Sequence, residues 1–106
     1  MTKANVLRLM EEKDLPYVPK VRKKFEEYGH HGSYFFFVIE DDNEEIIGYL
    51  VAEKEDTKAV IKELELPKTF EKREEYRSTA ISNLYDYVQK IKGSEGKRCF
   101  FQVCFI

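Results

Sequence analysis

Apolar residues fall into short runs along the chain, and their spacing predicts most of the elements. Residues 5–10 alternate as a short strand, with Val6, Arg8 and Met10 on one face and Leu7 and Leu9 on the other. Asp14 is placed to cap a helical turn that holds Leu15 and Pro16. Pro19 lacks a backbone donor, so regular helix is expected only from about Val18. From there Val18, Val21, Phe25 and Tyr28 recur on one helical face, and Gly29 is a natural stop. Residues 34–39 are apolar on both faces, as an interior strand would be. Residues 41–44 supply turn chemistry, and residues 45–52 return as the second strand of a hairpin. Gly48 within that strand marks a bulge or a close approach by another part of the chain.

Residues 58–66 fit two patterns. Val60, Lys62, Leu64 and Leu66 would share one strand face, whereas Val60, Ile61 and Leu64 also fit a helical turn. The β-branched pair Val60-Ile61 and the stop at Pro67 favour the strand. Residues 78–92 carry the clearest helical spacing, through Ile81, Leu84, Tyr85, Val88 and Ile91, with Ser78 or Thr79 as cap and Gly93 as stop. One unbroken helix over 70–92 competes with this, because residues 68–92 contain neither glycine nor proline and Thr69 is a good cap. Residues 99–106 form a last strand, apolar on nearly both faces. The expectation is a single α+β domain over residues 1–106, with the order β-α-β-β-β-α-β. Were 57–66 helical, the remaining elements would read βαββαβ, a ferredoxin-like sandwich suited to a non-catalytic interaction module.

Composition narrows the classes further. A chain of 106 residues makes one domain, and eight Phe with seven Tyr supply the buriable surface that disordered chains lack. No run approaches the length of a membrane helix, and no apolar signal core follows the N-terminus, so a cytoplasmic protein is expected. Cys99 and Cys104 stand at odd spacing in one strand, point to opposite faces and cannot pair with each other. They read as small apolar residues in a reducing compartment. The formal net charge of −2 argues against a nucleic-acid-coating protein, and the acidic stretch beside the aromatic strand would repel phosphates.

Charge is nonetheless uneven. Residues 40–56 hold eight acids and one base, whereas residues 57–98 hold ten bases and seven acids. An acidic hairpin tip is ordinarily a solvated surface, but it would also favour a small-molecule amine or a basic peptide as partner. His30 and His31 are expected in a loop and have no ligand-spaced Cys or acid beside them, so no metal site is expected.

Three segments together carry a resemblance to the first two-thirds of the GNAT superfamily of acyl-CoA N-acyltransferases. Residues 7–16 look like that family's opening strand and capped helix. Residues 36–40 and 46–50 resemble its hairpin, glycine included. Leu64-Glu65-Leu66-Pro67 and then Tyr76-Arg77 resemble its cofactor-binding passage from strand to helix. The resemblance implies a mixed sheet ending after the fifth strand, acetyl-CoA as cofactor, and direct acetyl transfer to an amine. In the family, a loop of pattern Arg/Gln-x-x-Gly-x-Gly/Ala offers backbone N–H groups at a helix start to the cofactor's pyrophosphate. The matching residues here are Arg77, Ser78, Thr79, Ala80 and Ser82, with Ala80 and Ser82 in place of glycines. The backbone near Leu66 would polarise the thioester carbonyl. Glu63 and Glu65, on the same strand face as Ala59 and Ile61 by simple alternation, become the candidate acids that accept the amine's proton. With the family's final helix and strands missing, the apolar strand 99–106 would be left at an edge, and a homodimer through it is expected.

Overall fold

The computed structural model describes residues 5–29, 32–55, 58–94 and 102–105, with only the backbone at 91–94 and 102–105. One sheet runs β1 (Leu7–Leu9), β2 (Tyr34–Glu40), β3 (Ile46–Glu55), β4 (Lys58–Glu65) and β5 (Gln102–Phe105), with the strands side by side in chain order. The first four pair antiparallel and β5 joins β4 in parallel. Residues 58–65 are therefore strand, and the ferredoxin-like alternative falls with the helical reading. A parallel pair needs a crossover, which α2 (Arg73–Ser94) supplies. The fold is α+β and GNAT-like.

Each face of the sheet carries its own core. On one face Phe37, Ile39, Leu50, Ala52, Ala59 and Ile61 pack against Tyr76, Ala80, Leu84 and Val88 of α2. These four helix residues repeat every fourth position, which stacks them on a single stripe. The expected stripe was rotated from this one, and Tyr85, assigned to it from spacing, is 44% exposed. On the other face Phe36, Val38, Tyr49 and Val51 meet Leu15, Val18 and Val21, with Phe25 and Tyr28 partly buried beside them. Two 3₁₀ turns, Glu12–Tyr17 and Pro19–Val21, lead into the short α1 (Arg22–Tyr28), so the prolines delay the regular helix as expected. Asp14 lies inside the first of these turns, at its third position, and caps it from there: its carboxylate accepts the N–H of the N-cap residue Glu11 at 2.7 Å as half of a capping box.

Two irregularities aim the site. The β2–β3 register shifts between Ile39 and Glu40, so one extra β3 residue, Ile47, is accommodated beside Gly48. A Cβ at Gly48 would overlap the Glu65 carbonyl oxygen, which is the close approach the glycine signalled. The β3–β4 register shifts again where Val51 pairs with Glu63 and Ala52 with Ile61, leaving Lys62 as the bulged residue. Simple alternation is broken there. Leu64 and Leu66 join Ala59 and Ile61 against α2, while Glu63 and Glu65 turn to the α1 side. The expectation that Glu63 and Glu65 share a face with Ala59 and Ile61 is corrected accordingly.

The second helix begins at Arg73, not at Ser78. Hydrogen bonds from the N–H of Phe70 to Pro67 O, of Arg73 to Phe70 O and of Tyr76 to Lys72 O build the entry from a series of turns. Ser78, Thr79, Ala80 and Ser82 are consequently interior helical residues. Of the last expected strand, only residues 102–105 are described, and they form β5. Cys99, His30 and His31 lie outside the described residues.

Candidate functional site

A cavity of about 270 Å3 opens at the C-terminal end of β4. Its floor is the bulged part of β3, Ile47, Gly48 and Tyr49, together with Glu65, Leu66 and Pro67 at the strand's exit. Tyr17, Val18, Pro19 and Lys20 from the 3₁₀ turns close the other side. Gly48 allows this construction, because it lets β3 run directly beneath the Glu65 carbonyl.

The two candidate acids part company here. Glu65 lines the cavity and pairs across the sheet with Tyr49. Glu63 stands two residues deeper in the strand and its side chain is 33% exposed. Its carboxylate accepts from the Lys24 ammonium at 2.7 Å and from the Tyr49 hydroxyl at 3.3 Å. Tyr49 is buried, and burial, followed by the charges of Glu63 and Glu65, pushes its phenol well above the usual tyrosine range. It remains a neutral phenol through the physiological range. Spacing alone could not have found Tyr49 or Lys24: a tyrosine within an apolar strand reads as core, and Lys24 lies 39 residues from Glu63.

A larger cavity, about 730 Å3, adjoins this one, and Tyr17 lines both. Glu40, Glu44 and Glu45 of the acidic hairpin wall it, with Arg8, Lys13 and Asp14 opposite. Arg8 is occupied by Asp14 and Glu40, and no ion pair among the described residues reaches Glu44 or Glu45. The acidic stretch noted in the sequence thus stands beside the cavity at the end of β4.

At the helix end, the residues of the expected phosphate passage sit within the first three turns of α2. Ala80 is fully buried against the sheet, and the Thr79 hydroxyl donates to Glu75 O at 2.9 Å. Arg77 lies one turn past the helix start and 4.0 Å from Glu74. Arg73, at the first helical position, has its Nε buried with no partner among the described residues. An orphaned guanidinium N–H at a helix start fits an anionic group. Glu74 and Glu75 in the first turn already complement the helix dipole, so side chains more than the bare helix end would carry such an anion. Among the described residues, no group of three or more His, Cys, Asp or Glu is arranged to hold a metal ion, and no helix is long and apolar enough to cross a membrane.

An antiparallel four-strand meander, a crossover helix and a parallel fifth strand, with a pocket at the end of the fourth, make up the GNAT-like fold. The solved structures that share it include the spermidine N-acetyltransferase from Vibrio cholerae in complex with CoA and spermine, at TM-score 0.60 and 16% identity over 76% of this chain. They also include the spermidine/spermine N-acetyltransferase from Vibrio cholerae in complex with manganese ions, at TM-score 0.62 and 17% identity over 82% of this chain. The chain spans 61% of the first and 62% of the second. No family model and no curated protein matches the sequence.

Proposed function

We propose that this chain is an N-acyltransferase domain that transfers an acyl group, acetyl in the simplest case, from a CoA thioester to a cationic aliphatic amine. The observation that carries this reading is the cavity at the end of β4, where Glu65, Tyr49 and the main chain at Leu66 converge. The shared fold with polyamine N-acetyltransferases supports it, and so does the acid-walled cavity beside the pocket, which suits an amine bearing a second positive charge.

An amine attacks only as the free base, so the domain must take one proton from the bound ammonium. Glu65 is the residue for this task, because it lines the cavity while Glu63 is held by Lys24 and Tyr49. Glu63 then serves to fix Tyr49 and α1 relative to β4. The main chain at Leu66 is the candidate for orienting the acyl carbonyl. Arg73 and Arg77, both now beside Glu74 at 3.4 and 4.0 Å, would hold the cofactor's phosphates through their side chains, with the unpartnered Arg73 Nε as a further donor. When bound, the cofactor supplies the activated acyl thioester. Ser78, Thr79, Ala80 and Ser82 contribute to that region through the helix they build.

The test is thiol release from acetyl-CoA with a panel of mono-, di- and polyamines. Turnover is expected with amines carrying more than one positive charge, and Glu65→Gln should reduce it about 100-fold. Calorimetric titration with CoA should show Arg73→Ala and Arg77→Ala each weakening binding about tenfold, the larger loss marking the turn that holds the phosphates. No thiol release with any amine, together with no heat at millimolar CoA, would refute this function.

A further inference from the structure

The pocket at the end of β4 contains a primary amine of its own, since Lys20 lines it together with Gly48, Glu65 and Leu66. The backbone of Lys20 is fixed at the cavity wall. Pro19 restricts it on one side, Val18 and Val21 are buried, and the Val21 N–H donates to Val18 O at 3.1 Å. Only the side chain is left to move, and in a cavity of about 270 Å3 its four-carbon stem reaches from one wall to the other. The ammonium groups of Lys24 and Lys62 are held by carboxylates. Among the described residues, no ion pair or hydrogen bond holds that of Lys20. A nucleophile tethered beside its reaction partner acts at an effective concentration that a free amine in solution does not reach.

We propose that Lys20 is a self-acylation site: with acyl donor present and no free amine, the domain transfers the acyl group to its own Lys20 and so closes the pocket. The inference rests on the acyl-transfer reading of this pocket and adds a regulatory modification to it. Glu65 takes one proton from the Lys20 ammonium. The Nζ lone pair then bonds to the acyl carbonyl carbon as that carbon's bond to sulfur breaks, and the departing thiolate takes a second proton from the nitrogen. One amide and one free thiol result, and Glu65 returns its proton to water. The acylated side chain has lost its charge and its nucleophile, and it occupies the volume that a free amine would need.

The full chain is incubated with acetyl-CoA alone, and peptide mass mapping follows the gain of an acetyl group at each lysine. Lys23 and Lys68 are exposed and lie outside the cavity, so they report acylation by the reagent itself. Lys20 should be acetylated at least about tenfold faster than either, and this advantage should vanish in Glu65→Gln and in urea. Added diaminobutane should slow the modification. Pre-incubation with the donor alone should lower later turnover of diaminobutane in the parent protein and leave that of Lys20→Arg at its starting level. Acetylation of Lys20 no faster than that of Lys23 and Lys68, or an advantage that survives Glu65→Gln or urea, overturns the proposal. Turnover of free amines with Lys20 unmodified overturns it as well and leaves the transfer reading standing. Acetylated Lys20 without turnover of any free amine upholds it and refutes the free amine as acceptor.

Discussion

Asp14 is 3% exposed, and both of its carboxylate oxygens are taken. Oδ1 accepts from Arg8 Nη2 at 2.9 Å, while Oδ2 accepts from Arg8 Nη1 at 3.1 Å and from the Glu11 N–H at 2.7 Å. Arg8 also donates to Glu40 at 3.1 Å, so one guanidinium joins β1, the first 3₁₀ turn and the end of β2. Burial pushes the Asp14 carboxyl up, but the bonds from Arg8 and Glu11 and the Arg8 charge outweigh it and leave it below the usual carboxylate value. A carboxyl depressed in the folded state stabilises the protein above the unfolded carboxylate range, near pH 4, and that stability is lost as pH falls through the folded value. Asp14→Asn should therefore cost about 2 kcal/mol at pH 7, and the difference should shrink at pH 3. Urea melts of both proteins at the two pH values provide the check. Spacing marked Asp14 as a cap, but its main partner lies on a strand, where no helical period reaches.

Among the elements, β3 and β4 show how one residue can redirect a site. Gly48 lies under the Glu65 carbonyl, and a methyl group there would meet backbone, which no rotamer change relieves. Gly48→Ala should destabilise the domain by about 2 kcal/mol, lower the melting temperature by several degrees and weaken amine binding. A Gly48→Ala protein that melts and binds like the parent would show that β3 can shift without cost. The glycine itself was legible as a bulge or close approach. The Lys62 bulge was not, because 58–66 alternates well enough to pass as a regular strand, and only its register against β3 reveals the extra residue. The start of α2 was similarly open. Either start satisfied the helical pattern, and the earlier one buries Tyr76 in the core while its hydroxyl donates to Asp42 at 3.2 Å.

On the scale of the whole molecule, the described sheet has β1 at one edge and β5 at the other. β5 is paired along one side through residues 58–61 of β4, and no strand among the described residues takes its other side. An apolar edge strand favours pairing with a second copy, so we propose a homodimer formed through β5. Light scattering at micromolar protein should give twice 12.6 kDa, and replacing Val103 with lysine should return the mass to that of one chain. A single-chain mass for the parent protein would remove this proposal.

Hydrophobic period and turn chemistry alone determined the hairpin, the delayed first helix and the acidic turn, and they favoured strand over helix at 58–66, which pairing with β3 and β5 then decided. Each of these depends on residues within a few positions of one another, where backbone geometry turns spacing into a face. Three features that shape the site were decided by tertiary structure. Glu63 and Glu65 reach the α1 side because β3 forces a bulge into β4. Residues 77–82 became helix interior because Tyr76, Ala80 and Leu84 gain burial against the sheet when the helix starts early. Tyr49 joined a polar cluster behind the pocket because Glu63 and Lys24 arrive from elsewhere in the chain to take its proton and hold the carboxylate. In all three the deciding energy lies in contacts between elements, which alternation and spacing along a single chain do not encode.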